Sequence, residues 1–389
     1  MSISGKHLIV GGGIAGLVLA AYLKQRGLNP EIIEKADTWT LKGSGMHLYS
    51  NALRALDQIG VAHKISEVGE SQDNYTYADP DDLHRVLVTY PRLAGNDLPA
   101  LASISRQEMH NVLIERVNEL NIPVRLGTTF NSIEQDDDGV VVFFSDGSQN
   151  RYELVIGCDG IYSQVRNEIF GQLDPTYIGQ AIWRALLKRH PESTHPKIMY
   201  AGGGKMFGIV PTSEDQVYLL AGMPDPDKPN YPTEKFVELI KNNFSEFGGL
   251  APFYLDQITS SEQVGYTAIE MVTQEAPWHR GRVFLIGDAA HASPPYLAQG
   301  AAMAIEDSIV LGELIAEDLA LSELQQNFMT RRLKRASFIQ SLSLQRNKER
   351  YQGEAYSASG SEKSDRIIKL EQNAQRQIDE LYTELANPI

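Results

Sequence analysis

The sequence predicts an α/β protein in which a lobe with a parallel sheet is interrupted by a second lobe with an antiparallel sheet. Near the N terminus, HLIVGGGIAGLVLAAYLKQRGLNPEIIE has the pattern of a buried strand, a glycine-rich turn, a helix and a second strand. Between residues 174 and 276, AIWRALLKR, KIMYAGGGKMFGIVP, DQVYLLAGM and GYTAIEMV have the composition of strands joined by turns. A chain of 389 residues is also longer than a single hydrophobic core usually accommodates, which favours two lobes.

The N-terminal turn carries a specific glycine spacing, Gly11-x-Gly13-x-x-Gly16, and Glu34 ends the second strand. Gly11 permits the tight turn, Gly13 lets the backbone approach a pyrophosphate, and Gly16 lets the helix pack closely on the strand. The helix N terminus offers free N–H groups to phosphates, and the carboxylate of Glu34 can accept hydrogen bonds from ribose hydroxyls. This spacing predicts a dinucleotide site, and by itself it leaves NAD and FAD as alternatives.

Two later segments repeat the arrangement of a short apolar strand followed by a polar turn and a helix. They are GCDGIYSQVR, beginning at Gly157, and GDAAHASPPYLAQG, beginning at Gly287. Together with the first motif they resemble the DG and GD motifs of the single-component FAD-dependent aromatic hydroxylases, typified by p-hydroxybenzoate hydroxylase. The three motifs follow the family's order, and the resemblance covers roughly residues 5–350.

The resemblance implies a Rossmann-like FAD-binding lobe with an inserted α+β substrate lobe and a C-terminal helix. The expected FAD lobe comprises residues 1–75, 100–173 and 277–350, the substrate lobe residues 174–276, and the C-terminal helical segment residues 351–389. This last segment is expected to cover the FAD lobe, with a partner or dimer helix as the alternative.

The family pattern assigns roles around the flavin. Asp288 is expected to accept hydrogen bonds from the ribityl chain, and the helix beginning near Gly300 to point its N terminus at the reduced flavin's negative charge. The family's loop commonly ends Gly-Gln-Gly, whereas this chain has Ala298-Gln299-Gly300. The full set of predicted cofactor-binding residues is Gly11, Gly13, Ala15, Gly16, Glu34, Lys35, His47, Arg106, Asp159, Gly287, Asp288, Pro295, Ala298, Gln299, Gly300 and Ala301.

For activity, the resemblance implies a monooxygenase that uses NAD(P)H and O2 to hydroxylate a small aromatic or polycyclic substrate through a flavin C4a-hydroperoxide. His47, on the segment expected over the flavin, is the candidate base that deprotonates a phenolic substrate. Trp183, Arg184, Phe207 and Tyr296 are the expected substrate wall. Two rivals remain: an FAD-dependent reductase or dehydrogenase that acts on an unsaturated polyketide or isoprenoid without oxygen insertion, and a flavin- or ligand-binding protein that has lost turnover.

The composition excludes several classes of binding partner and cellular location. The net charge of −15 and a pI near 5.1 argue against nucleic acid and anionic membranes as partners. The apolar stretch Leu8–Leu23 is too short for a membrane span, so none is expected. Cys158 is the chain's one cysteine, which excludes an internal disulfide and fits a cytoplasmic location. No metal is expected, and the protein is expected to be a monomer or a homodimer.

Overall fold

The structure, a computed structural model, describes residues 5–40, 44–191, 198–351 and 363–389, so parts of each predicted lobe range lie outside the described residues. The strands are β1 (Lys6–Val10), β2 (Asn29–Ile33), β3 (Gly45–Tyr49), β4 (Glu70–Gln72), β5 (Asn74–Ala78), β6 (Arg85–Thr89), β7 (Leu101–Ser105), β8 (Val124–Arg125), β9 (Phe130–Asp136), β10 (Gly139–Phe144), β11 (Gln149–Tyr152), β12 (Leu154–Gly157), β13 (Thr176–Lys188), β14 (Ile198–Gly202), β15 (Lys205–Pro211), β16 (Gln216–Pro224), β17 (Val264–Met271), β18 (His279–Arg280) and β19 (Val283–Leu285). The helices are α1 (Ile14–Gln25), α2 (Ser50–Asp57), α3 (Ala62–Val68), α4 (Arg106–Glu119), α5 (Gln164–Phe170), α6 (Phe236–Phe244), α7 (Ala251–Gln257), α8 (Asp288–His291), α9 (Gly300–Ala316), α10 (Leu321–Tyr351) and α11 (Lys363–Leu385).

The parallel sheet has the strand order β18-β19-β12-β1-β2-β8. Strand β1 pairs in parallel with both β2 and β12, and β12 pairs in parallel with β19. The carboxyl ends of these four strands therefore lie at one edge of the sheet, where the three motif turns begin. Ligands of open α/β sheets bind at such an edge. We call this region the cofactor edge.

Helices α1 and α9 pack against each other beside the parallel sheet. Every residue of α1 from Ala15 to Leu23 is buried, as expected for a helix that is apolar on all sides. Two glycines allow α1 to lie close to its neighbours. A Cβ on Gly16 would lie 2.0 Å from the carbonyl oxygen of Gly11 in the turn after β1, and a Cβ on Gly312 of α9 would lie 2.6 Å from the Tyr22 ring of α1. The first helix of the dinucleotide motif is thus held against both strand and helix.

The second lobe contains a sheet of order β17-β13-β16-β15-β14-β5-β6. Its pairs are antiparallel except for β14 with β5, which is parallel. Strands β5 and β6 come from outside the predicted range 174–276, so the sheet is built from two separate pieces of chain. Side chains alternate between its faces: Phe207 packs into a core covered by α6 and α7, whereas the neighbouring Met206 packs toward the other lobe.

Smaller elements complete the connection between the lobes. Strands β9, β10 and β11 form an antiparallel sheet, and β3, β7 and β4 form another. Gly203 and Gly204, with φ of 59° and 80°, make the hairpin turn between β14 and β15. Helix α11 packs on β5, β6 and α10. Within the described ranges, every helix is too short or too polar to cross a bilayer.

Candidate cofactor and substrate site

The first motif turn forms one side of the cofactor edge. Gly11 has φ of 109°, and a Cβ there would lie 2.5 Å from the carbonyl oxygen of Cys158, so the turn after β1 lies directly against the turn after β12. Gly13 is the opposite case: among the described residues, no heavy atom lies within 4 Å of where its Cβ would be. The space over Gly13 is open, as a close-approaching ligand requires.

Glu34 lies against the same turn. Its carboxylate accepts hydrogen bonds from the backbone N–H groups of Gly12 at 2.8 Å and Ala36 at 2.9 Å. A residue that the sequence reasoning missed, His110 on α4, lies with Nε2 2.8 Å from the carbonyl oxygen of Gly12. The predicted acid therefore directly follows β2, and its contact with a ribose stays a prediction. His110 supports the turn from behind. Lys35 is exposed beside it.

Asp159 is engaged within its own turn. Its carboxylate accepts hydrogen bonds from the Ser163 hydroxyl at 2.5 Å and from the backbone N–H groups of Gln164 and Val165 at 2.7 and 3.0 Å. Burial raises the pKa of the Asp159 carboxyl, and these hydrogen bonds oppose the rise. Asp159 caps α5, so its local role is structural, and its contact with the cofactor stays a prediction.

Arg166, also on α5, joins the second motif to the third. Its buried guanidinium donates to the carbonyl oxygens of Ile161 and Leu173 at 2.9 and 3.0 Å. It also donates to the carbonyl oxygen of Ala289 at 2.9 Å, next to Asp288. The turns after β12 and β19 are therefore fixed relative to each other by one side chain.

Asp288 begins α8 immediately after the third turn. Its carboxylate is open to solvent and accepts no hydrogen bond from the part of the chain that the structure describes. Although the residue is exposed, the surrounding protein raises the pKa of the Asp288 carboxyl, and the nearby His291 and Arg106 oppose this rise. An acceptor in this position suits a polyol, and its contact with the ribityl chain stays a prediction. Arg106, at the start of α4, is likewise exposed.

A buried charge network lies behind this edge. The Asp307 carboxylate accepts from the Gly287 N–H at 2.9 Å, from His291 Nε2 at 2.6 Å and from Arg332 Nε at 2.7 Å. Burial alone would raise the pKa of the Asp307 carboxyl, but the charges of His291 and Arg332 outweigh it and hold that pKa far below its usual range. Asp307 thereby fixes the backbone of the third turn from inside the protein.

The neighbouring Glu306 extends the network. It accepts from Arg332 at 2.9 Å and from Arg335 at 2.7 and 2.8 Å, and its side chain is fully buried. Burial would raise the pKa of Glu306, and the two arginines reverse that effect and lower it. Sequence reasoning missed this network, although two adjacent acids within the apolar run AAMAIEDSIVLGELIA were a usable signal, because buried charges require partners.

The loop before α9 has the expected shape with one strained residue. Ala298 adopts φ 52° and ψ 32°, the left-handed region in which glycine is favoured. Gln299 is buried and accepts at Oε1 from Asn51 Nδ2 at 3.0 Å, and Asn51 also donates to Glu306 at 3.0 Å. Gly300 starts α9 as predicted, and the nearest atom to its missing Cβ is Ser293 Oγ at 3.7 Å. Ala15 is buried, whereas Ala301 is only partly so.

A cavity adjoins this loop and contains about 650 Å³ of empty space, part of it open to solvent. Its walls come from both lobes. The described lining residues are His47, Tyr49, Tyr75, Tyr77, Tyr90, Met199, Met206, Leu220, Pro295, Tyr296, Leu297, Ala298, Gln377 and Leu381. The predicted residues His47, Pro295, Tyr296 and Ala298 are thus brought together at one end of a chamber that the sequence reasoning did not otherwise find. We call it the substrate cavity.

The described polar side chains that line the substrate cavity are an imidazole, the phenols of Tyr296 and four other tyrosines, and the amide of Gln377. His47 is buried, and its Nδ1 lies 2.9 Å from the hydroxyl oxygen of Ser103 on β7. The hydroxyls of Tyr77 and Tyr90 are 3.0 Å apart. Burial, reinforced by neighbouring tyrosines, raises the pKa of Tyr49 and of Tyr90 well above the ordinary value. These phenols therefore stay protonated across the physiological range.

Three predicted substrate residues lie elsewhere. Trp183 and Phe207 are fully buried on the opposite face of the antiparallel sheet, where Trp183 packs against Phe236 and Phe207 against Phe247. Arg184 donates to the Tyr218 hydroxyl at 3.1 Å and to the Thr267 hydroxyl at 2.7 Å, outside the cavity lining. The sequence showed that these residues lie on strands, but not which face of the sheet each one occupies.

Its sequence relatives show that this chain is a flavoprotein oxidoreductase of the monooxygenase class, which the residues of the edge and the cavity suit. The chain belongs to the FAD binding domain family, whose model matches residues 6–341, and this confirms the predicted resemblance. It is 32% identical over 340 residues to 2-heptyl-3-hydroxy-4(1H)-quinolone synthase of Pseudomonas aeruginosa, covering 85% of this chain and 87% of that protein. It is 29% identical over 361 residues to 6-hydroxynicotinate 3-monooxygenase of Pseudomonas fluorescens, covering 88% and 91%.

Solved structures show the same fold. The Klebsiella pneumoniae protein HpxO, complexed with FAD and uric acid, aligns with a TM-score of 0.84 at 21% identity, covering 98% of this chain and 97% of that one. The residues of this chain fit FAD on their own geometry: the open space over Gly13 suits the pyrophosphate, and Glu34 and Asp288 offer acceptors to hydroxyl groups. Among the described residues, no group of His, Cys, Asp and Glu is arranged to hold a metal ion.

Proposed function

We propose that this chain uses NAD(P)H and O2 to hydroxylate a small aromatic substrate that binds in the substrate cavity beside the flavin. Support comes from one observation above all: the residues expected at the reactive edge of the flavin, His47 and Ala298, are also walls of the cavity. A molecule in the cavity would therefore lie next to the redox centre. The relatives named as acting on aromatic rings agree with this proposal.

Bound FAD would supply the redox chemistry, taking a hydride from NAD(P)H and activating O2. The protein's own residues would bind the cofactor, orient it and shield its reactive ring system from water. Gly11, Gly13 and Glu34 would hold the dinucleotide end, and Asp288 the ribityl chain. The N terminus of α9, at Gly300, would place its partial positive charge beside the reduced ring system.

His47 would accept the proton from a phenolic hydroxyl of the substrate, which makes the ring more electron-rich at the carbon to be hydroxylated. The Ser103 hydroxyl, 2.9 Å from Nδ1, fixes the plane of the imidazole. The tyrosine and methionine walls would pack against the faces of an aromatic ring and exclude water. Water exclusion matters because it prevents the oxidant from decaying without transferring oxygen.

The test is turnover of purified holoenzyme with NAD(P)H, a panel of phenols and heteroaromatics, and isotopically labelled O2. The expected result is substrate-stimulated NAD(P)H oxidation and a product that contains one labelled oxygen atom. A product that gained two hydrogens and no oxygen would show a reductase instead. Bound flavin with no substrate-stimulated oxidation across the panel would show a binding protein without turnover.

A further inference from the structure

The turn after β1 is held by side chains at both polar backbone atoms of Gly12. The Glu34 carboxylate accepts from the Gly12 N–H at 2.8 Å, and His110 Nε2 lies 2.8 Å from the Gly12 carbonyl oxygen. A carbonyl oxygen only accepts, so the proton of this hydrogen bond belongs to Nε2 of His110. The two peptide planes that meet at Gly12 are therefore each fixed by a side chain.

The second of these planes also carries the N–H of Gly13. The peptide bond between Gly12 and Gly13 is trans, and in a planar trans peptide the C=O and the N–H point in opposite directions. A carbonyl that points at His110 therefore directs the Gly13 N–H away from α4. Gly13 caps the N terminus of α1, where free N–H groups are expected to bind the pyrophosphate.

This peptide needs an external partner to keep one orientation. Gly12 and Gly13 both lack a Cβ, so steric repulsion alone allows the plane between them to rotate. A reversed plane would present the Gly12 carbonyl oxygen, instead of the Gly13 N–H, to the negatively charged phosphates. The hydrogen bond from His110 opposes this reversal, because the carbonyl would lose its donor.

Trp39, in the segment after β2, packs over both partners of this hydrogen bond. A Cβ on Gly12 would lie 2.5 Å from the Trp39 ring, so the indole covers Gly12 closely. The rings of Trp39 and His110 meet edge to face, with centroids 5.2 Å apart and planes at 74°. The carbonyl oxygen of Trp39 accepts from Gln107 of α4 at 3.2 Å. These contacts confine the imidazole, as a directed hydrogen bond requires.

Helix α4 brings His110 to the turn from a fixed start. The Ser105 hydroxyl oxygen accepts from the Glu108 N–H at 3.1 Å and caps the helix, which packs against α1. Arg106 and His110 are four residues apart, so they lie on the same side of α4. Arg106 is the predicted flavin contact, and its charge acts on Asp288. One helix thus carries both this residue and the residue that holds the glycine turn.

We propose that His110 is a positioning residue for the pyrophosphate of FAD. Its Nε2–H holds the peptide between Gly12 and Gly13 in the orientation in which the Gly13 N–H donates to a phosphate oxygen. The role concerns cofactor binding alone, so it goes beyond the proposed hydroxylation and holds for any reaction of the bound flavin.

The first experiment uses His110→Gln and His110→Met, a matched pair. Both side chains are unbranched and similar in length, but only glutamine carries an N–H that can donate to the Gly12 carbonyl. Oxidised holoenzyme is diluted without NAD(P)H, and the recovery of flavin fluorescence gives the dissociation constant of FAD. We expect His110→Met to bind FAD about tenfold more weakly than His110→Gln, which should stay within about threefold of the parent. Equal affinities of the two variants overturn the proposal.

The second experiment distinguishes pyrophosphate positioning from general support of the fold. ADP and adenosine, which share the nucleoside and differ in the pyrophosphate, compete with FAD for the same two variants. His110→Met should weaken ADP about tenfold relative to His110→Gln, and adenosine less than about twofold. Equal weakening of both competitors, or no weakening of ADP, overturns the proposal. Where adenosine binds too weakly to compete, the ADP difference alone decides the test.

The parent protein allows a test that needs no substitution. In ¹⁵N-labelled oxidised holoenzyme, nuclear magnetic resonance of the imidazole nitrogens should show a hydrogen-bonded proton on Nε2 of His110. A ring that carries its proton on Nδ1 alone overturns the proposal, because Nε2 then has nothing to donate. All three measurements are made without substrate or NAD(P)H. Their failure would leave the proposed hydroxylation standing, and a protein that hydroxylates nothing would leave the role of His110 standing.

Discussion

The cofactor edge and the substrate cavity share a wall, yet they are built differently. The edge consists mainly of backbone: Gly11 and Gly287 adopt φ of 109° and 61°, and neighbouring turns are too close for a Cβ. The cavity consists of side chains that come from distant strands, from the loop before α9 and from α11. The difference teaches that cofactor binding here depends on where the chain can bend, whereas substrate selection depends on which faces the tertiary fold brings together.

The largest expected effect comes from breaking the network behind the edge. Arg332→Met leaves Glu306 and Asp307 buried with less compensating charge. We expect a loss of about 3–5 kcal/mol in the free energy of unfolding at pH 7, with release of FAD. Chemical denaturation and flavin content measure it. Retention of both would show that the third turn does not need Asp307 to be held from behind.

The same network predicts the response to acid. Because the pKa values of Glu306 and Asp307 are lowered on folding, their ionised forms stabilise the native state above their ordinary pKa values. This stabilisation should be lost as the pH falls below about 4.5, toward the folded-state pKa values. In Arg332→Met the deficit relative to the parent should shrink between pH 7 and pH 4, as protonation relieves the uncompensated charge. Thermal unfolding across that range measures it, and a deficit that grows would contradict it.

Variants at Gly13 and Gly16 distinguish loss of FAD binding from loss of folding at the cofactor edge. Gly13→Val places a side chain in open space with an allowed backbone, so the apoprotein should keep its stability within about 1 kcal/mol while FAD affinity falls at least about 100-fold. Gly16→Val instead forces a Cβ to 2.0 Å from the carbonyl of Gly11 and should impair folding itself. Flavin titration and circular dichroism distinguish the two. Normal FAD affinity in Gly13→Val would place the pyrophosphate elsewhere.

His47 tests the wall that both regions share. His47→Gln should lower kcat/KM for hydroxylation by about 100-fold and flatten its pH profile, because the base is removed. Activity is expressed per bound flavin, since His47 is also a predicted cofactor-binding residue. Ser103→Ala keeps the imidazole but removes the hydroxyl near Nδ1, so a smaller loss of about tenfold is expected. Steady-state kinetics across pH checks both. An unaltered pH profile in His47→Gln would assign the proton to another group.

The smallest effect is expected at Ala298, where the backbone rather than the side chain is tested. Its left-handed conformation destabilises the folded state by about 1 kcal/mol, and Ala298→Gly removes this strain. Glycine also increases the conformational entropy of the unfolded chain, which offsets part of the gain. A net stabilisation of about 0.5 kcal/mol is therefore expected, whereas Ala298→Val should destabilise by more than about 1 kcal/mol. Thermal unfolding of the holoenzyme measures both, and a more stable valine variant would contradict the strain.

The sequence predicted the cofactor edge well. The turns after β1, β12 and β19 lie where their motifs indicated, and Gly300 begins α9. Predictions about side chains were less successful: Tyr296 lines the cavity, but Trp183 and Phe207 are core residues and Arg184 lies outside it. A strand residue faces one side or the other depending on register, and a shift of one position reverses the side.

By itself, the sequence determined the elements whose signals are local: the glycine turns, the strands before them and the helices after them. Local steric rules on φ and ψ act between near neighbours, so they can be read along the chain. Only the tertiary structure decided that Glu306 and Asp307 find Arg332, that β5 and β6 join the substrate-lobe sheet, and that α11 brings Gln377 to the cavity. Those contacts join residues far apart in sequence, and they are fixed by the packing of the whole core rather than by any segment of it.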